Sequence, residues 1–102
     1  MTSSTEMTTE SFRPFDDLGP ALVGRKAGAT LRARILLCAQ TAPVIVDLTG
    51  IELISPSFAD ELFAKLPPDV IRDRRVRFSN ASDDIRALAR GVRGLRRAVA
   101  HT

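Results

Sequence analysis

One stretch of this 102-residue chain, 44–66, sets carboxylates and hydroxyls close together between apolar runs, and it reads VIVDLTGIELISPSFADELFAKL. Asp47, Asp60 and Glu61 supply carboxylates there, and Ser55 and Ser57 supply hydroxyls. Carboxylates and a serine suit general acid–base or nucleophilic work only if they converge beside a base. Asp60 and Glu61 are neighbours on a helical pattern, so their side chains are expected to diverge. The sole histidine, His101, is next to last, where chains fray, and it leaves no partner for a Ser-His or Cys-His pair. Cys38 is the only cysteine, which excludes an internal disulfide and a metal site built on thiolates. The patterns HExxH, GxxxxGK[ST] and GxGxxG do not occur. Neither a catalytic set, a metal nor a cofactor is therefore expected, and recognition is the better class.

Positioning these residues requires a strand, a turn and a helix. Residues 44–48 are apolar on both alternating faces except at Asp47, the pattern of a central strand covered on both sides. Ser55 is a good N-cap, since its hydroxyl can accept from the free amides of a first helical turn. Pro56 suits the first helical position, and Asp60 and Glu61 suit the positive end of the helix dipole. Ala59, Leu62, Phe63 and Leu66 repeat at helical spacing and should face the sheet. Phe58 falls on the flank, where it would be an exposed contact. Pro67 and Pro68 stop the helix near residue 66. In an open α/β sheet, ligands gather at the carboxyl ends of strands and at helix N-termini, which points to residues 53–61.

Around this centre the periodicity predicts a helix over about 21–39, with Val23, Ala27, Leu31, Ile35, Cys38 and Ala39 on its apolar stripe. Gly24 and Gly28, four apart, call for close packing against the sheet or for close approach of a ligand such as a nucleotide. Arg25, Arg32 and Arg34 lie off the stripe and read as solvated. Residues 74–79 alternate, with Val76 and Phe78 one way and Arg75 and Arg77 the other, as in an outer strand. A last helix over about 83–98, capped at Ser82-Asp83-Asp84, places Arg86, Arg90, Arg93 and Arg97 on one basic ridge. The fold class is thus α/β: a small sheet of about 3–4 strands, parallel at its centre, with three helices.

Length bounds the chain to one domain, expected over 12–102, behind a Thr/Ser/Glu-rich tail over 1–11 that should be disordered. Phe12, Phe15 and Leu18 are its first anchors, with Pro14 limiting any strand there to a short edge. The net charge is +3, and thirteen of the fifteen basic residues are arginine. That permits an acidic partner or nucleic acid without requiring either. No aromatic residue is interleaved with the arginines as a base-stacking platform. With one cysteine, no apolar run of membrane-spanning length and no leader-like N-terminus, a cytoplasmic protein is expected.

The segment 47–62, DLTGIELISPSFADEL, resembles the STAS-like family of bacterial regulatory domains, whose hallmark is D-x-x-x-V-x-x-I-S-x-S-F-A-D-E-L. That family also tends to carry an upstream helix of the form G-x-x-L-x-x-R-x-x-G-x-x-L-R, and Leu22, Arg25, Gly28, Leu31 and Arg32 match much of it. The resemblance spans roughly residues 18–80. It implies a small α/β regulatory domain related to anti-sigma-factor antagonists. Such domains bind ATPase-kinase-fold regulators and are switched by phosphorylation of a serine at the start of the helix after the central strand. Laid without gaps on the D-S-S-G-L-G motif of those relatives, Ser55 takes the Asp position, Pro56 the phosphoserine and Ser57 the next serine. Phe58 and Asp60 replace the two glycines. Proline cannot be phosphorylated, so Ser57, or else Ser55, would have to carry any switch. The resemblance therefore implies a protein-binding surface of Ser55, Ser57, Phe58, Asp60 and Glu61, with a histidine-kinase-like ATPase or anti-sigma factor as partner. The alternative is a nucleic-acid-binding protein that uses the arginine ridge.

Overall fold

The computed structural model describes residues 9–100, with side chains described as far as Val92. Strand β1 (Glu10–Phe12) is followed by a short helix α1 (Pro14–Leu18) and strand β2 (Ala21–Leu22). Helix α2 (Arg25–Ala39) leads into β3 (Val44–Asp47) and β4 (Leu53–Ile54). Helix α3 (Pro56–Ala59) runs directly into a π-helical segment, Asp60–Ala64. Helix α4 (Pro68–Arg72), strand β5 (Val76–Ser79) and helix α5 (Asp83–Ala100) complete the chain. The predicted α/β class, the three main helices and the central parallel strand are all present.

The strands form two small parallel sheets, one in the order β1-β3-β5 and one pairing β2 with β4. Residues aligned across a parallel ladder share a face. Val44 and Val46 on β3, both 0% exposed, align with Val76 and Phe78 and form the inner face. They meet Leu31, Ile35, Phe58, Leu62 and Phe63 from the helices in one core. The Phe63 and Phe78 rings meet edge to face with centroids 5.1 Å apart, a geometry that suits their quadrupoles.

The opposite face corrects the expectation of a strand covered on both sides. Ser11, Ile45 and Arg77 align in one row across it, with half-buried Ile45 between two exposed polar residues. Polar neighbours keep that face wet, and among the described residues the helices contribute to the core on the sheet's apolar side.

Two other differences have local causes. The helix expected from residue 21 starts at Arg25, because Gly24 has φ 98° and ends an extended pair of residues that hydrogen-bonds with β4. The segment expected to be tail contributes Glu10 and Ser11 to β1, where Glu10 donates its amide to the Pro43 carbonyl at 2.8 Å. Residues 1–8, and with them most of the expected tail, lie outside the described residues, as does His101. Among the described residues, no helix is long and apolar enough to cross a membrane, and no cluster of His, Cys, Asp and Glu could hold a metal.

Candidate functional site at the start of helix α3

Parallel pairing of β2 with β4 aligns Ala21 with Leu53 and Leu22 with Ile54. Leu22 and Ile54 point into the core at 1% and 5% exposure, while Leu53 points outward at 56%. Val23, the residue after β2, is also 56% exposed. Beyond β4 the chain turns at Ser55, whose extended backbone (φ −72°, ψ 154°) is that of an N-cap, and Pro56 occupies the first helical position. Both start signals expected from the sequence are realised.

Ser55 does more than cap. Its hydroxyl oxygen accepts from the Phe58 amide at 3.2 Å and from the Gly24 amide, across the fold, also at 3.2 Å. A hydroxyl oxygen has two acceptor sites, and both are now used. Its own proton is left for Ser57 Oγ, 3.3 Å away. Ser55 is therefore committed to holding the helix start against the α2 N-terminus. Half-buried Ser57, beside exposed Pro56, keeps its own hydroxyl proton for other partners.

Phe58 is not the exposed contact expected from the sequence: it is fully buried, at 0% exposure. The π-helical turn supplies the reason. By widening the helix just after Ala59, it lets Phe58 and Ala59 face inward as well as Leu62 and Phe63. Phe58 also forms the bed on which α2 lies. A Cβ added to Gly28 would sit 2.9 Å from the Phe58 carbonyl oxygen and 2.9 Å from Glu61 Cβ. Gly28 thus serves close helix packing, and no room remains for a nucleotide at that point.

Asp60 and Glu61 were expected to diverge, yet they converge on one cation. Arg25 Nη1 lies 2.8 Å from Asp60 Oδ2 and 2.8 Å from Glu61 Oε2. Glu61, only 4% exposed, is also reached by Lys65 Nζ at 2.8 Å and by Arg32 Nη1 at 2.9 Å. Arg32 further donates to the Glu61 main-chain carbonyl. Hydrogen bonds from Lys65, then Arg25 and Arg32, hold the Glu61 carboxyl down at about 2, against an ordinary 4.5. Such a group stays ionised at neutral pH and works as a clamp. The signal for it lay in Arg25 and Arg32, two helical turns apart with Gly28 between them. Read as solvated, they in fact fasten α2 to the π segment.

Asp47 closes the other end of the loop. Its Oδ1 accepts from the Thr49 hydroxyl at 2.6 Å, the Asn80 amide group at 3.0 Å and the Thr49 backbone amide at 2.9 Å. These bonds, the Thr49 hydroxyl first, lower its pKa to about 2. Asp47 therefore organises the turn after β3.

The basic ridge is only partly visible. Arg86 and Arg90 are exposed on α5, while the side chains of Arg93 and Arg97 lie outside the described residues. The sequence-derived site residues thus divide in two. Ser57 remains accessible and Asp60 partly so, while Ser55, Phe58 and Glu61 form the support beneath them. Leu53 and Pro56 lie within the stretch 53–61 to which the sequence points, whereas Val23, expected on the apolar stripe of the preceding helix, lies before Arg25, where α2 begins, and is 56% exposed.

Among known protein families, a model described as a STAS-like domain of unknown function matches residues 27–86, more than half of the chain. The match includes most of α2, the whole 53–64 segment and the start of α5. Neither a curated protein nor a solved structure matches the chain.

Proposed function

We propose that this chain, which belongs to the STAS-like domain family, is a non-catalytic regulatory module that binds a protein partner at the start of helix α3. The observation that carries this reading is the exposed apolar pair Val23 and Leu53 beside Pro56 and Ser57, on a backbone tied down by Ser55, Phe58 and Glu61. An apolar surface with a polar rim is the usual anatomy of a protein interface. A pre-ordered surface also avoids part of the ordering cost of association. The partner we favour is an ATPase-kinase-fold regulator, such as a histidine-kinase-like ATPase or an anti-sigma factor, in the cytoplasm.

Within this reading Ser57 is the switch residue. Ser55 already uses both acceptor sites inside the fold, and Pro56 has no hydroxyl. A phosphate on Ser57 would add roughly two negative charges at the edge of the apolar pair. Docking would then have to strip water from those charges, and binding would weaken. The test is a binding titration against purified ATPase-kinase-fold regulators from the same genome. Leu53→Glu and Ser57→Asp should each weaken binding at least tenfold, whereas Arg86→Glu with Arg90→Glu should leave it unchanged. Equal binding by all these proteins would remove the site. Salt-sensitive binding to DNA or RNA that the Arg86/Arg90 variant abolishes would favour the nucleic-acid reading instead.

A further inference from the structure

Between helices α1 and α2 runs an open groove of about 600 Å³. Its walls are apolar: Pro14 and Leu18 on one side, Val23, Ala27 and Leu31 on the other. From Gly24 to Arg34 it follows α2 for about 15 Å at the helical rise. Three cations line it, but they are not equivalent. Arg25 is paired with Asp60 and Glu61, and Arg34 with Asp17 at 3.1 Å. Lys26 has no ion-pair partner among the described residues. The groove therefore offers a long apolar wall and one uncompensated positive charge, located at its α2 N-terminal end.

We propose that this groove binds a free, monomeric fatty carboxylate, with the acyl chain along Leu18, Ala27 and Leu31 and the carboxylate at Lys26. Charge complementarity selects the occupant. A polyacidic peptide would need several free cations along the wall, and only Lys26 is free among those described. A neutral lipid would leave that charge unanswered. Apolar pockets of this size with one placed polar group are the usual form of a small-molecule site. Val23 borders both this groove and the proposed partner surface, whereas Leu53, Pro56 and Ser57 do not line the groove, so binding measured without a partner separates the two sites.

Isothermal titration with decanoate below its micellar concentration, at low ionic strength, tests this on the full chain with no partner present. Saturable one-to-one binding is expected, tightening about fourfold per methylene from octanoate to decanoate. The cation with the same chain, decyltrimethylammonium, should bind at least tenfold more weakly. Lys26→Glu should abolish that preference, and Thr30→Trp, which fills the groove from an exposed wall position, should weaken both ligands. Both positions are exposed, so circular dichroism of the variants should match the wild type. The proposal is overturned by absence of saturable decanoate binding, by equal binding of the two amphiphiles, or by unchanged binding in Thr30→Trp. Association only with anionic lipid vesicles, without binding of free decanoate, would equally overturn it.

Discussion

The inner and outer sides of residues 53–61 obey different constraints. Inward, Ile54, Phe58, Ala59 and Glu61 are packed or ion-paired at exposures of 5% or less. Outward, Leu53, Pro56 and Ser57 meet solvent on the same short length of chain. The inner side is tied to α2 by the Ser55–Gly24 hydrogen bond, by the approach of Gly28 to Phe58, and by Arg25 and Arg32 on Glu61. Among the described residues, the side chains of Leu53, Pro56 and Ser57 show no hydrogen bond or ion pair to α2. Recognition and stability are thereby separated by direction rather than by position in sequence. Substitutions two or three residues apart should then have unlike consequences.

The largest effect belongs to Phe58. Phe58→Ala empties a fully buried site and should cost about 3–5 kcal/mol. A domain of this length has roughly 5–15 kcal/mol in total, so the variant should be near its unfolding threshold. Urea denaturation will read this as a large fall in midpoint. Loss of partner binding by Phe58→Ala would then report folding, not contact. A change under about 1 kcal/mol would mean that the inner side is not a packed core.

Gly28 comes next. Gly28→Ala should gain about 1 kcal/mol in helix propensity. Against this, the new methyl would lie 2.9 Å from the Phe58 backbone oxygen, which cannot swing away as a side-chain tip could. Overpacking of that kind costs about 1–3 kcal/mol. Net destabilisation is expected, where the same change at an ordinary exposed helix glycine would stabilise. Stabilisation by Gly28→Ala would show that α2 and α3 are less tightly joined than their spacing implies.

These two residues also show what the sequence could reveal. Ser55 and Pro56 were legible as a helix start because capping is local and residue-specific. The parallel central strand was legible from an apolar run between helical periods. The burial of Phe58 was not, because the π turn at 60–64 shifts the phase on which an α-helical projection relies. The Glu61 clamp joins residues 29 and 36 positions apart, a separation beyond the reach of local periodicity. Helices α1 and α4 have five residues each, fewer than two turns, too few to show a period. Gly28 was legible as a close contact, though its partner was not.

Ser55→Ala tests the tie between the two halves of the inner side. It removes the bonds to the Phe58 and Gly24 amides together and should cost about 1 kcal/mol, within the 0.5–2 kcal/mol span of lost caps. Ser55→Asp should recover much of this, since a carboxylate can also accept from both amides. Thermal unfolding of the pair of variants measures the difference. Failure of Asp to rescue would assign the loss to space rather than to capping.

The Glu61 clamp predicts a pH dependence whose sign is fixed. Its folded pKa of about 2 lies below the ordinary 4.5, so the folded state binds the proton less readily than the unfolded chain. The stability it contributes is complete above about pH 4.5 and is lost as pH falls toward 2. Asp47 is lowered into the same window by Thr49 and Asn80, so both contribute to acid unfolding. Glu61→Gln should flatten part of the decline in urea midpoint between pH 5 and pH 3, leaving the part due to Asp47. An unchanged slope would mean that the clamp is already loosened in solution.

The smallest stability effect is expected on the outer side, and it is the most informative. Leu53 is 56% exposed, so little apolar area is recovered from water at its position on folding. Its β4 backbone bonds do not depend on the side chain, and its ladder neighbour Ala21 is also exposed. Leu53→Ser should therefore change unfolding free energy by no more than about 0.5 kcal/mol. The same variant should weaken partner binding at least tenfold, because an apolar anchor at the centre of an interface loses its burial. Measured together on one protein, these values oppose those for Phe58→Ala, five residues away. Destabilisation above about 1 kcal/mol would show that Leu53 packs like an inner residue, and the separation by direction would fail. Unchanged stability with unchanged binding would leave the inner scaffold intact and move the recognition surface elsewhere on the domain.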